Sequence, residues 1–178
     1  MIEDREVWKR ICDGDSGAFH DLYREQAPRL HAFLRRMTGN PQAAEDIVQQ
    51  TFAEFWKRPG RYNPDCGSLR TWLFSISRKQ LAEWWRKRDG PASEPEEPVA
   101  PCHLEASSIL RDALSRLPEQ QRILLWLREV EGQSYQELAE ILEIPIGTVR
   151  SRLFSAREAL RRVWFADPCP REVSDELH

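Results

Sequence analysis

Between Asp89 and Ser107 the chain reads DGPASEPEEPVAPCHLEAS, with four prolines, five acids and few large apolar residues. Such a stretch cannot bury enough surface to offset the entropy lost in ordering it. It therefore predicts a linker over 89–106 and a domain boundary there. On that division a domain occupies 1–88, a second occupies 107–166, and 167–178 form an acidic tail. A chain of 178 residues has room for one ordinary domain or two small ones.

No run alternates apolar and polar residues long enough to argue for a sheet, and nothing repeats internally. Upstream, Phe19, Leu22, Tyr23, Leu30, Phe33, Leu34 and Met37 recur at helical spacing, with Ser16 as the cap and Pro28 as a kink. A second helix starts at Asn40 as N-cap with Pro41 in its first position, and Ile47, Val48, Phe52, Phe55 and Trp56 supply its apolar face. RPGRYNPDCGS is turn-rich, and Ser68 caps a helix running to about Arg88.

Downstream, Ile109, Leu110, Ala113, Leu114 and Leu117 make one helix that stops near Pro118. Ile123, Leu124, Leu127 and Val130 make another, ended by Gly132. Ser134 with Glu137 forms a capping box for a helix lined by Tyr135, Leu138, Ala139 and Leu142. EIPIG then allows a turn of about four residues before Thr148, and Val149, Leu153, Ala156 and Leu160 face the core of a final helix. The expected fold class is all-α, two small helical domains joined by a flexible linker.

The net charge of −3 hides a strong pattern. Residues 61–88 carry 7 basic and 2 acidic side chains, while 89–106 carry no basic and 5 acidic ones. A second basic island spans Arg150–Arg162. Two basic islands among acidic neighbours suit a polyanion touched at two separate places. No run approaches eighteen apolar residues, and MIEDREVWKR starts acidic without a secretory core, so a cytoplasmic protein is expected. Cys12, Cys66, Cys102 and Cys169 form no C-x-x-C pair, and Cys102 beside His103 lacks matching ligands. His20, His31, His103 and His178 show no ligand spacing, and no Gly-rich phosphate loop or nucleophile elbow appears. The expectation is neither an enzyme nor a cofactor binder, and no small-molecule substrate.

A short helix, a tight turn and a basic second helix have the spacing of a helix-turn-helix, whose second helix enters the major groove. Opposite the core stripe that helix carries Ser151, Phe154, Ser155 and Glu158, with Arg150 and Arg161 to one side and Arg162 to the other. Arg152 and Arg157 flank the stripe, within reach of phosphates. Arginine pairs with guanine edges, and an outward Phe meets a thymine methyl. The alternative is a solvated helical hairpin. In SLRTWLFSISRKQLAEWWRKR, Leu69, Trp72, Leu73 and Ile76 form one stripe and Phe74, Leu81 and Trp85 another, with Arg70, Arg78, Lys79 and Arg86–Arg88 between them. Aromatics interleaved with basic groups suit stacking on unpaired bases. Equally, both stripes can be core, with three helices surrounding a fourth. Asp46, Gln49 and Gln50 share one polar helix face, either solvated or protein-binding.

In this order and spacing the pieces resemble the extracytoplasmic-function (ECF) branch of the bacterial sigma-70 family, over about residues 15–165. AEDIVQQTFAEFWKR resembles the helix that binds core RNA polymerase. GSLRTWLFSISRKQLAEWWRKR resembles the promoter-melting helix. LSRLPEQQRILLWLREVEGQSYQELAEILEIPIGTVRSRLFSARE resembles the domain that reads the −35 element.

The resemblance implies an alternative sigma factor directing transcription initiation. Its partners would be core polymerase (the largest subunit's clamp helices, and the flap region), promoter DNA, and an anti-sigma factor that could sit in the membrane. Asp46, Gln49, Gln50 and Trp56 would face polymerase. Arg61, Tyr62, Asn63, Ser68, Arg70, Arg78, Lys79, Trp84, Trp85 and Arg86 would take the melted −10 strand, with a flipped base in the loop. Ser134, Tyr135, Thr148, Arg150, Ser151, Arg152, Phe154, Ser155 and Arg157 would meet the −35 duplex. Lys79 stands where many relatives carry Asn, Pro145 holds the usual capping position of the recognition helix, and Ser155 replaces a frequent Arg. The competing reading is a free-standing helix-turn-helix regulator, which would need a dimerisation surface.

Overall fold

Asp15, rather than Ser16, starts the first long helix: its carboxylate accepts from the amides of Gly17 and Ala18 at 2.9 and 3.1 Å. Ser16 is already helical. The computed structural model describes residues 2–88, 113–114 and 116–166. The linker at 89–106, the expected helical residues Ile109 and Leu110, and the tail at 167–178 lie outside these.

The first half comprises α1 (Ile2–Cys12), α2 (Ser16–Thr38), α3 (Pro41–Lys57), a 3₁₀ turn (Pro59–Arg61) and α4 (Leu69–Arg88). α1 is absent from the sequence expectations. Pro28 lies inside an unbroken α2. Asn40 caps α3 as expected, its side-chain oxygen accepting from Ala43 N at 3.0 Å, and Ser68 Oγ accepts from Thr71 N at 3.1 Å to cap α4.

The second half comprises α5 (Glu119–Leu125), a π-helical turn (Trp126–Val130), α6 (Tyr135–Leu142) and α7 (Ile146–Ala166). The π turn corrects one expectation. The extra residue per turn rotates the chain, so Leu127 is buried while Val130, expected in the core, is 59% exposed.

α4 explains the architecture. Its two apolar stripes are both buried: Leu69, Leu73 and Ile76 on one side, Phe74, Leu81 and Trp85 on another. A helix apolar around most of its circumference must be surrounded, and α4 packs against α2, α3 and α6. Phe74 meets Phe33 of α2 edge-on, with ring centroids 5.4 Å apart. Burying each such side chain contributes about 1.5–3 kcal/mol. The core is continuous from α2 through α4 into Leu138 and Ile141 of α6 and Val149, Leu153 and Ala156 of α7. The two helical domains therefore meet along α4.

Candidate nucleic-acid interface

The helix-turn-helix is built from its caps. Ser134 Oγ accepts from Glu137 N at 3.2 Å, and Glu137 Oε2 accepts from Ser134 N at 2.7 Å, closing a reciprocal capping box at the start of α6. α6 ends at Glu143, which adopts a left-handed conformation (φ 55°), while Ile144 N bonds back to Ala139 O at 3.1 Å. The Pro145 carbonyl takes the amides of Thr148 and Val149 at 2.8 and 3.1 Å. α7 thus begins at Ile146 after a three-residue turn, Glu143–Pro145, and not at Thr148.

On α7, Val149, Leu153 and Ala156 are buried, and Arg150, Ser151, Arg152, Phe154, Ser155 and Arg157 are exposed. Phe154 is 69% exposed, a large ring that the fold leaves in solvent. Ser151 Oγ donates to Thr148 O at 3.1 Å. Tyr135 is half-buried beneath two guanidinium groups, Arg128 at 5.0 Å and Arg150 at 6.0 Å from its ring centre. Arg157 is held by Glu129, with Nη2 to Oε1 at 2.7 Å, and this bond raises its pKa. Ser134 and Thr148 serve the backbone, as cap and first-turn residue. Arg150, Ser151, Phe154 and Ser155 form one outward face.

The basic face of α4 is occupied. Lys79 Nζ lies 2.6 Å from Glu143 Oε1, and Arg78 Nη2 lies 3.5 Å from Glu143 Oε2. The Lys79 hydrogen bond is the main cause of a lowered Glu143 pKa. The Arg70 guanidinium donates to the Glu131 carbonyl, and Thr71 Oγ1 donates to Glu137 Oε1 at 3.1 Å. The basic groups of this face are therefore paired with a carboxylate and a backbone carbonyl of the second half.

Two expectations for the −10 strand change here. Tyr62 is 3% exposed, its hydroxyl donating to Gly67 O at 2.7 Å, and burial pushes its pKa up to about 12. Trp85 is 8% exposed, on the core side of α4. Neither ring presents a face for a base to stack on, because both are needed to fill the interior. Ser68 is half-buried as the α4 cap.

Arg61, Asn63 and Arg86 are exposed, and Trp84 is half-buried with the Arg88 guanidinium 4.9 Å over its ring. Arg61 lies 3.9 Å from Glu54, and Asn63 Oδ1 accepts from Asp65 N at 3.0 Å.

Asp46, Gln49 and Gln50 are exposed on α3, where Asp46 accepts from Gln42 at 3.2 Å. Asp46 and Gln50 share with Trp84 a cleft between α3 and α4. Trp56, 41% exposed, lies against Phe19 with centroids 4.8 Å apart, at the far end of the helix from Asp46.

Comparison with known proteins bears on the whole arrangement. Residues 22–90 match the family model for sigma-70 region 2, and residues 107–160 match that for sigma-70 region 4. The ECF RNA polymerase sigma factor RpoE of Cereibacter sphaeroides is 30% identical over 173 residues, covering 89% of this chain and 96% of its own. This chain belongs to the ECF branch of the sigma-70 family. The RNA polymerase sigma-H factor of Pseudomonas aeruginosa is 29% identical over 178 residues, covering 89% of this chain and 92% of its own. Among solved structures, the sigma factor RpoE of Bartonella quintana, co-crystallised with the anti-sigma factor NepR, has a TM-score of 0.70 at 28% identity, covering 84% of this chain and 98% of that one.

The ECF sigma factor thus has region 2 in α2–α4 and region 4 in α5–α7, while α1 precedes the region 2 match. Among the described residues no helix is long and apolar enough to cross a membrane, and no cluster of three or more His, Cys, Asp or Glu is placed to hold a metal. Cys102 and His103 lie outside the described residues.

Proposed function

We propose that this sigma factor joins core RNA polymerase, captures the melted −10 strand with the 61–68 loop and α4, and reads the −35 duplex with α7. The observation that carries the reading is the outward face of α7. Arg150, Ser151, Phe154 and Ser155 project from the second helix of a capped helix-turn-helix, and Phe154 has no core to fill. A helix so placed presents donors and an apolar edge to base pairs in a major groove.

On this reading Arg61, Asn63, Arg70, Arg78, Lys79, Trp84 and Arg86 contact the single strand, with Tyr62, Ser68 and Trp85 holding the platform beneath them. Arg70, Arg78 and Lys79 must first exchange their partners in the second half for phosphates. Asp46, Gln49, Gln50 and Trp56 face the polymerase clamp helices, and the second half meets the flap region. Arg152 and Arg157 take phosphates beside the −35 bases. Tyr135 supports Arg150 through its ring. An anti-sigma factor restrains the protein, a reading supported by the Bartonella sigma factor's co-crystal with the anti-sigma factor NepR. The chain works in the cytoplasm alongside polymerase and supplies no catalytic group of its own.

Run-off transcription with core polymerase on genomic fragments tests this. Defined start sites that require the chain are expected. Tight duplex binding without polymerase, and no core-dependent start, would identify a free-standing regulator instead.

A further inference from the structure

α1 lies outside the stretch matched by the region 2 model, and nothing above gives it a task. Besides packing on α2, it touches the 59–69 segment at its start, its middle and its end. The Trp8 indole N–H donates to the Pro59 carbonyl at 2.9 Å. The Arg5 guanidinium pairs with the Asp65 carboxylate in the middle of the loop. Asp4 Oδ2 accepts from Leu69 N at 3.2 Å, satisfying a free amide at the start of α4. Asp4 and Trp8 stand four residues apart, so one face of α1 makes both bonds.

The aromatic contacts continue the same path. Trp8 meets Tyr62 edge-on, with centroids 6.0 Å apart at 74°, and Tyr62 in turn lies 6.3 Å from Trp72 of α4. Tyr62 closes the loop internally through its bond to Gly67 O. With its inner side fixed in this way, the loop turns Arg61 and Asn63 outward.

We infer that α1 is a brace for the loop that captures the −10 strand, with Trp8 and Asp4 as positioning residues that set its base preference. The inference rests on the function proposed above. A loop anchored at both ends and in its middle is pre-organised, so little ordering cost falls on the binding of a base. Without the brace the loop samples other shapes, and the difference between right and wrong bases shrinks.

The test uses the full chain with core RNA polymerase on two template libraries, one randomised across the −10 element and one across the −35 element. Hydrogen exchange of the 61–66 amides in the free protein is measured in parallel. Trp8→Ala should speed loop exchange and reduce discrimination at the most selective −10 position about tenfold, roughly 1.4 kcal/mol, with −35 preference unchanged. Trp8→Phe keeps an aromatic ring but loses the donor, and should lose about threefold. Asp4→Asn keeps an acceptor for Leu69 N and should stay near wild type, whereas Asp4→Ala should not.

Should Trp8→Ala lose helicity, the Trp8→Phe and Asp4 pairs decide the question. Unchanged −10 discrimination in a working Trp8→Phe and Asp4→Ala would overturn the inference, as would equal losses at −10 and −35. A wild-type chain that supports no core-dependent transcription would overturn the proposed function, and the inference with it.

Discussion

Replacing Glu143 by Gln removes the carboxylate shared by Lys79 and Arg78 while keeping the size of the side chain. The Glu143 and Lys79 side chains are 56% and 59% exposed, so despite a separation of 2.6 Å their pair is worth only a few tenths of a kcal/mol. Arg78 is more enclosed and belongs nearer the top of the range for surface pairs. Together the two interactions stabilise the closed arrangement of the halves by about 1 kcal/mol, a factor of roughly five in the equilibrium.

Energy transfer between dyes at Ala53 and Arg162, in a background freed of the native cysteines, reports the separation. At low salt the separated fraction of Glu143→Gln should exceed wild type about fivefold. At 1 M salt, where the screening length is about 3 Å, the difference should vanish. Acid should act in the same direction. The Lys79 hydrogen bond holds the Glu143 pKa below its ordinary value of 4.5. A carboxylate depressed in the closed state contributes above its ordinary pKa and is lost as pH falls through the lowered one. Wild type should therefore converge on the Gln variant as pH falls below 4.5 and through the lowered pKa. Equal separated fractions at low salt and neutral pH would show that the Glu143 pairs do not hold the halves together.

Asp46→Arg, Gln49→Ala and Gln50→Ala together should abolish co-purification with core polymerase at unchanged helicity; retained binding would return these side chains to a solvated surface. Arg150→Ala should weaken −35 recognition by about 1–3 kcal/mol and relax preference at one position, read by promoter-library transcription. Trp84→Ala should leave the fold intact and impair strand opening in a permanganate footprint, since each base stacked on an aromatic is worth about 1–3 kcal/mol. Trp85→Ala, by contrast, should cost about 3–5 kcal/mol of stability and lower the melting temperature.

The helices that the sequence revealed were those with strong local signals. Asn40–Pro41 and the Ser134–Glu137 box are visible in a few adjacent letters, and they hold in three dimensions. α1 escaped because its apolar positions, Ile2, Val7, Trp8 and Ile11, are too few for a convincing period among six charged residues. Gly14, at φ 86° just past its end, was the signal available. The π turn has no compositional mark, so Val130 read as core. For Trp85, letters alone left two readings open, since a stripe of aromatics among arginines looks alike whether it meets bases or other helices. Its burial decides that. The pairing of Arg78 with Glu143 spans 65 residues of sequence and depends on how two halves dock, which no local period encodes.

A helix enclosed on two sides leaves evolution little room. The buried positions on α4, among them Leu69, Leu73, Phe74, Leu81 and Trp85, must satisfy α2 and α3 on one flank and α6 on the other, so a substitution there would be selected against for damaging the interior. Arg61 and Asn63 on the loop, and Arg150, Ser151, Phe154 and Ser155 on α7, carry no such double duty. Divergence in promoter preference among descendants of this chain will therefore accumulate in those two outward surfaces, while the buried stripes of α4 drift slowly.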